Sequence, residues 1–264
     1  MRITLFIITL CAAIGCFGQS AVRLRFGAGG VPPGGGGGGG SALTNGVVAH
    51  WEMAQTGSTA EPDVMGDNDL TVSSGDTIPS RTGVVGNGRD WTDGEDDRLE
   101  IVDNDSISIS NQSFTVGAWI NMDSVSVNRP VIVKTNEFTL SLLNANNNMQ
   151  WTVYNSTGSV LVASSALGAG TNYYVSAGWN STNSTTWLMV VAPTFTNYSS
   201  GTLSTGPTNS TSPLYVGASV NSPTVNFDGV IDELTIWKGV SVSSNNVMLL
   251  YNAGSGVAWP WTGL

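Results

Sequence analysis

The chain has 264 residues, of which 41% are hydrophobic and only 11% charged, yet its formal charge is −10. So acidic a chain repels nucleic-acid phosphates and anionic lipid headgroups, which excludes both as expected partners and leaves neutral glycans, proteins and divalent cations. Its wealth of Ser, Thr, Asn and Gly favours turns and strands over helices.

Residues 1–18, "MRITLFIITLCAAIGCFG", read as a secretory signal peptide: one Arg, an apolar run, then a small-residue exit. The run is short for a membrane span, so the mature domain is expected not to insert into a membrane. A retained anchor, or a lipid on Cys16, is the alternative. Both cysteines, Cys11 and Cys16, fall inside this segment, so the exported chain would fold without disulfides. Residues 19–45 include seven consecutive glycines, each with much backbone entropy to lose on ordering, and read as a flexible linker. A folded domain is expected over 46–264. The protein is expected to be secreted or held at the cell surface.

From Gly46 onward, short strands alternate with turn chemistry. "GVVAHWEM" (46–53) puts Val47, Ala49, Trp51 and Met53 on one face, and His50 and Glu52 on the other. "RLEIV" (98–102) follows an acidic turn. "SFTVGAWINM" (113–122) sets Phe114, Val116, Ala118 and Ile120 against Thr115, Gly117 and Trp119. The runs "PVIVK", "EFTLSLL", "MQWTVY", "SVLVAS", "NYYVSAGWN", "TTWLMVV", "PLYVGAS" and "VNFDGVIDELTIWK" follow. No helical pattern separates them, so the expected fold is an all-β antiparallel sandwich. The period changes in "SVSSNNVMLLYNAG" (241–254). Ser243 is placed as an N-cap, Val247, Leu250 and Tyr251 share a helical face, and Gly254 is a stop. So short a helix needs tertiary support, and it is expected to cover a sheet edge or an open core end.

Four segments, in order, resemble the laminin G-like domains of the concanavalin A-like lectin/glucanase superfamily. They are "GVVAHWEM" leading to the turn "DVMGDNDL" (63–70), "GNGRDWTDGEDDRLEIVDNDSIS", "SFTVGAWINMDS", and the tail "GVIDELTIWKGVSVSSNNVMLLYNAG". The resemblance spans about residues 46–256 and implies a jelly-roll of two curved sheets. Its middle departs from the family pattern, with "NYYVSAGWN" and "TTWLMVVAPTF" in place of the usual motifs. The family pattern also implies that Asp63, Asn68 and Asp232 lie together. There they would hold Ca2+, or Asp232 would hydrogen-bond the backbone of the 63–68 turn.

Fold alone does not give function. Glycoside hydrolysis needs two carboxylates flanking the scissile bond. Here Asp232 and Glu233 point to opposite faces of a strand, while Asp228 and Asp232 share a face across Gly229. The single histidine, His50, reads as a surface residue, and there is no Gly-x-Ser-x-Gly elbow. Eight of the nineteen carboxylates fall within residues 90–105, which is either a calcium loop or a solvated acidic loop partly neutralised by Arg89 and Arg98. Trp51, Trp119, Trp179 and Trp237 lie on strand patterns and are expected in the core. Trp151, Trp187 and Tyr198 lie near Asn-rich turns and are the candidate ligand-binding rings. The expected function is non-catalytic binding of a glycan or an extracellular protein ligand, with calcium as a candidate cofactor. A structural or adhesion module and a degenerate glycoside hydrolase are the alternatives.

Overall fold

The computed structural model describes residues 43–264, apart from 73–76, 95–96, 144, 157, 220–225 and 262–263. The expected signal peptide, both cysteines and nearly all of the linker lie outside the described residues.

The strands in chain order are β1 (Val47–Trp51), β2 (Thr71–Val72), β3 (Ser80–Thr82), β4 (Asn87–Trp91), β5 (Leu99–Ile101), β6 (Phe114–Met122), β7 (Arg129–Lys134), β8 (Phe138–Leu143), β9 (Asn148–Asn155), β10 (Gly158–Ala166), β11 (Asn172–Asn180), β12 (Thr185–Ala192), β13 (Phe195–Thr202), β14 (Leu214–Val216) and β15 (Gly229–Lys238). They form two antiparallel sheets, as the alternation predicts. An eight-stranded sheet runs β13-β12-β11-β6-β15-β4-β3, with β1 also paired to β15. A seven-stranded sheet runs β10-β9-β8-β7-β14-β5-β2.

Alternation decides what each face buries. On β6, Phe114, Val116, Ala118, Ile120 and Met122 enter the core between the sheets. There Phe114 meets Phe138 and Trp151 of the opposite sheet, with ring centroids 5.3 and 5.6 Å apart. The other face of the eight-stranded sheet is apolar as well. Trp119, Tyr174, Trp187 and Trp237 stand on it and form a second buried cluster with the C-terminal segment.

That second cluster explains the terminal helix, α1 (Ser244–Tyr251). Ser243 caps it as expected, accepting from Asn246 N at 3.3 Å. Val247, Leu250 and Tyr251 are its buried residues, and Tyr251 stacks on Trp119 at 5.4 Å. The helix therefore covers a sheet face rather than an edge, because a row of tryptophans on that face needs cover. It stops at Asn252, which takes the left-handed conformation at φ 47°, two residues before the expected Gly254. The tail continues the cover, with Trp261 stacking on Trp237 at 5.4 Å. Leu43 joins from the other end of the domain: it is buried, and its carbonyl accepts from Trp237 Nε1 at 2.7 Å. The packed chain thus includes residues upstream of Gly46.

β15 organises the sheet. Its register against β6 shifts between Asp232 and Thr235, with Glu233 at φ 53° in the bulge. On its other edge, residues 229–231 pair with β4 and residues 234–237 pair with β1. Gly229 opens the strand at φ 128°, and a Cβ there would collide with the carbonyl of Asn121. Gly229→Ala is expected to lower unfolding free energy by about 2 kcal/mol or more, read from urea midpoints, since both backbone strain and overlap oppose the methyl.

Candidate functional site

The lone histidine is no surface residue. His50 is fully buried on the outer face of β1, stacked on Trp259 at 5.0 Å and edge-on to Trp261 at 5.5 Å. Its Nδ1 lies 2.8 Å from Thr235 Oγ1, and its Nε2 lies 3.3 Å from Glu233 Oε2. Burial pushes the Glu233 carboxyl up, and His50 pulls it back down. The rings of the tail seal this pair from solvent, so it is structural. The β1 alternation predicted a wet second face because residues 255–261 give no periodic signal that they lie across it.

Four carboxylates of the acidic segment, Asp90, Asp93, Glu100 and Asp103, lie against cations. Arg129 binds Asp93 through two nitrogens, at 2.6 and 3.2 Å, and holds its carboxyl below the usual range. Lys134 Nζ lies 2.5 Å from Asp103 Oδ1, and Arg81 lies 3.3 Å from Asp90. Arg98 stands 3.7 Å from Glu100. Arg89 does not serve this loop: it is buried against Glu61 at 3.0 Å. Glu95 and Asp96 lie outside the described residues.

The expected Asp63–Asn68–Asp232 calcium site is not assembled. Asp63 Oδ1 accepts from the backbone N–H groups of His50 and Met65, at 2.9 and 3.0 Å. Its Oδ2 accepts from Asn68 N and Nδ2, at 3.1 and 3.2 Å. Four N–H donors converge on this carboxylate, an arrangement that repels a cation. Asn68 Oδ1 in turn accepts from Ser106 Oγ and Asn104 Nδ2, at 2.5 and 3.2 Å. Asp232 turns to a different loop, where its Oδ2 accepts from Val84 N and Val85 N at 2.7 and 2.9 Å. The residues present do not fit the ion at this place. No group of three or more His, Cys, Asp or Glu side chains suited to a metal occurs among the described residues.

Among the described residues, clefts open on the outer face of the eight-stranded sheet, and two of them bear on function. The first, of about 220 Å3, is lined by Arg81, Trp119, Asn121, Asp123, Asn172 and Asp232, among others. Asp232 is buried and its Oδ1 has no hydrogen-bond partner. Burial raises its pKa to about 7, against the pull of the Val84, Val85 and Glu233 backbone N–H groups. Across the cleft, Arg81 holds both oxygens of Asp123, at 2.8 and 3.0 Å. Asp228 is elsewhere, 3.4 Å from Arg129.

The second cleft, of about 230 Å3, lies at the far end of the sheet. Trp187, Tyr198, Asn180, Asn183 and Thr185 line it, with Ser241 and Ser243 from the loop before α1 and Ser244 from its first turn. Tyr198 is 54% exposed, and its ring runs parallel to Trp187, with planes 16° apart and centroids at 6.4 Å. Trp187 is only 5% exposed and is fixed by an Nε1 bond to Ser241 Oγ at 3.1 Å. The structure thus brings together two of the three expected ligand rings. The third, Trp151, is fully buried in the core and donates to Thr186 Oγ1 at 3.0 Å. It faces inward on β9, where the strand alternation, rather than the neighbouring Asn-rich turn, sets its direction. Of the serines in residues 241–244, the sequence gives a role only to Ser243, as the N-cap. Their place in a cleft rim has no local signal in the sequence.

A sequence profile described as the concanavalin A-like lectin/glucanases superfamily matches residues 93–247. No curated protein matches the chain. Among solved structures, the binding domain of Paraclostridial mosquitocidal protein 1 is similar, with a TM-score of 0.61 and 15% identity over 79% of this chain and 52% of that one. So is domain 4 of AbnA, an extracellular arabinanase from Geobacillus stearothermophilus, with a TM-score of 0.53 and 17% identity over 76% of this chain and 96% of that one. The botulinum neurotoxin serotype D binding domain matches with a TM-score of 0.55 and 13% identity, over 79% of this chain and 51% of that one. The chain spans about half the length of the mosquitocidal and neurotoxin binding domains. At these identities the likeness is one of fold. The profile covers more than half of the chain, and the two antiparallel sheets agree with it: the chain belongs to the concanavalin A-like lectin/glucanases superfamily.

Proposed function

We propose that this is an exported, non-catalytic binding domain that takes a neutral glycan on the Trp187–Tyr198 shelf. The observation that carries this reading is an exposed tyrosine face, backed by a fixed tryptophan and rimmed by amides and hydroxyls with no charged side chain in the lining. A sugar ring offers an apolar face to an aromatic and hydroxyls to such a rim. Arabinanase domain 4, which has the same fold, was solved in complex with arabinotriose. Hydrolysis is disfavoured because both Asp123 oxygens are held by Arg81, which leaves Asp232 without a free carboxylate opposite it. No helix among the described residues is long and apolar enough to cross a membrane.

The test is a glycan array with the chain lacking residues 1–18, run in calcium and in EDTA. Selective binding is expected in both buffers. Tyr198→Ala is expected to weaken it about tenfold, in line with about 1–1.5 kcal/mol for a stacked ring. Folded protein that binds no glycan, or a Tyr198→Ala variant that binds as well as the parent, would move the assignment to a structural or protein-binding module.

A further inference from the structure

The Asp232 cleft has features that the glycan shelf does not explain. It lies at the other end of the same sheet face: Asn172, which opens β11, lines this cleft, and Asn180, which closes β11, lines the shelf. A side-chain oxygen that is buried and has no partner is costly, and native structures rarely leave one so. Asp232 Oδ2 is satisfied by two backbone N–H groups, while Oδ1 has none. The turn that supplies those N–H groups is built closely around the carboxyl, since a Cβ on Gly83 would overlap Asp232 Oδ2. We propose that this cleft is a second ligand site and that it takes the primary ammonium group of a small molecule, with Asp232 Oδ1 as its principal acceptor.

The lining sets the chemistry. Arg81 is the one cationic side chain in it, and its guanidinium is bound to Asp123 and lies 3.3 Å from Asp90, so two carboxylates offset its charge. Asn121 gives an N–H to Asn172 Oδ1 at 2.6 Å, which leaves Asn121 Oδ1 as a further acceptor on the wall. An ammonium group brings three donors and no acceptor, whereas a hydroxyl brings lone pairs that would need donors in return. Trp119 lines the same cleft, and an aromatic ring attracts a nearby cation. The chain's formal charge of −10 draws cations toward the domain.

The site also carries a pH signature. The charged and titratable groups facing Asp232 are Glu233 beside it on the strand and Arg81 and Asp123 across the cleft, with Asp90 behind Arg81. Asp232 titrates at about 7, so an ammonium binds best where the carboxyl is already ionised, and binding in more acid solution must release a proton.

The test is an amide NMR titration of the chain with propylammonium, 1-propanol, tetramethylammonium and calcium chloride as separate probes. Propylammonium is expected to give saturable shifts at Val84 and Val85, and to bind about tenfold or more weakly at about pH 5.5 than at about pH 7.5. Propanol lacks the charge and tetramethylammonium lacks the donors, so neither is expected to saturate. Asp232→Asn keeps an acceptor for the two backbone N–H groups and is expected to weaken propylammonium at least tenfold. Tyr198→Ala is expected to leave it unchanged, which separates this site from the glycan shelf. The proposal is overturned if propanol matches propylammonium, if no saturable shift occurs, or if Asp232→Asn binds as the parent does. Saturation of the same amides by calcium, with none by propylammonium, would reassign the cleft to a metal. The probe comparison on the parent chain decides the matter even if the variant fails to fold.

Discussion

Arg89→Ala is expected to lower the unfolding free energy by about 3–5 kcal/mol, measured by urea denaturation, because it strands a buried carboxylate. Arg89 and Glu61 are both almost fully buried and lie 3.0 Å apart. The guanidinium also donates to the carbonyls of Gly57, Ile78 and Thr59. Glu61 accepts in turn from Ala54 N and Gln55 N, at 2.9 and 3.1 Å. One ion pair thus fixes the loop between β1 and β2 against β4. Removing the arginine leaves three carbonyls and a carboxylate to find water. The same variant with Glu61→Gln added is expected to recover part of the loss, since the stranded charge is gone while the carbonyls stay unpaired. Arg89→Lys is expected to fall between, because an ammonium cannot reproduce the planar fork that reaches several acceptors at once. A loss under about 1 kcal/mol in Arg89→Ala would show that the loop relaxes to solvent at little cost.

Arg89 also shows where sequence reasoning loses its grip. Strand alternation depends on local pattern, so β6 was legible with its inward face and β11 and β12 as strand runs, and the four tryptophans expected in the core are buried. β13 was missed because its inward positions are only half-buried and its polar sequence, FTNYSSGT, carries no apolar period. Pairing between charges was not legible. Arg89 sits one residue from the acidic run, yet its partner is Glu61, across a sheet crossing that no spacing records. The family pattern sets Asp232 against the turn holding Asp63, but its partner is the turn holding Val84 and Val85. The two turns are both short and Gly-containing, and only the strand register separates them: β4, not β1, lies beside Ile231. The shelf was half-legible. Tyr198 and Trp187 are recognisable as aromatics near polar turns, but their parallel stacking depends on β12 pairing with β13 so that Met189 faces Tyr198.

Asp232→Asn is expected to make the domain more stable than the parent at about pH 8 and to remove most of a pH dependence that runs opposite to that of an ordinary ion-paired carboxylate. The sign follows from proton counts. The folded carboxyl titrates at about 7, against an ordinary value of 3.8. Between those values the native state keeps a proton that the unfolded chain has lost, so stability falls as pH rises through the interval. The contribution is fully present below the lower value and is lost by the upper one. A displacement of this size is worth about 4 kcal/mol over the whole range, and about 2–3 kcal/mol between pH 5 and 8. In a domain of this size that is roughly 5–10 °C in Tm. Glu233 is also raised by burial and adds a term of the same sign, so Glu233→Gln is the control that isolates Asp232. Asparagine preserves the acceptor for Val84 N and Val85 N and puts its amide nitrogen where the unpartnered Oδ1 stood. Thermal melts of parent and variant at both pH values decide the matter. Parallel curves would mean that the Asp232 carboxyl is already ionised at neutral pH, hydrated through the cleft. A parent that gains clearly more stability toward acid than the variant would mean that this carboxyl sits neutral in the resting domain. That is the state in which an arriving ammonium displaces a proton, and a saturating concentration of propylammonium is then expected to restore part of the stability lost at about pH 8 by binding the native state alone.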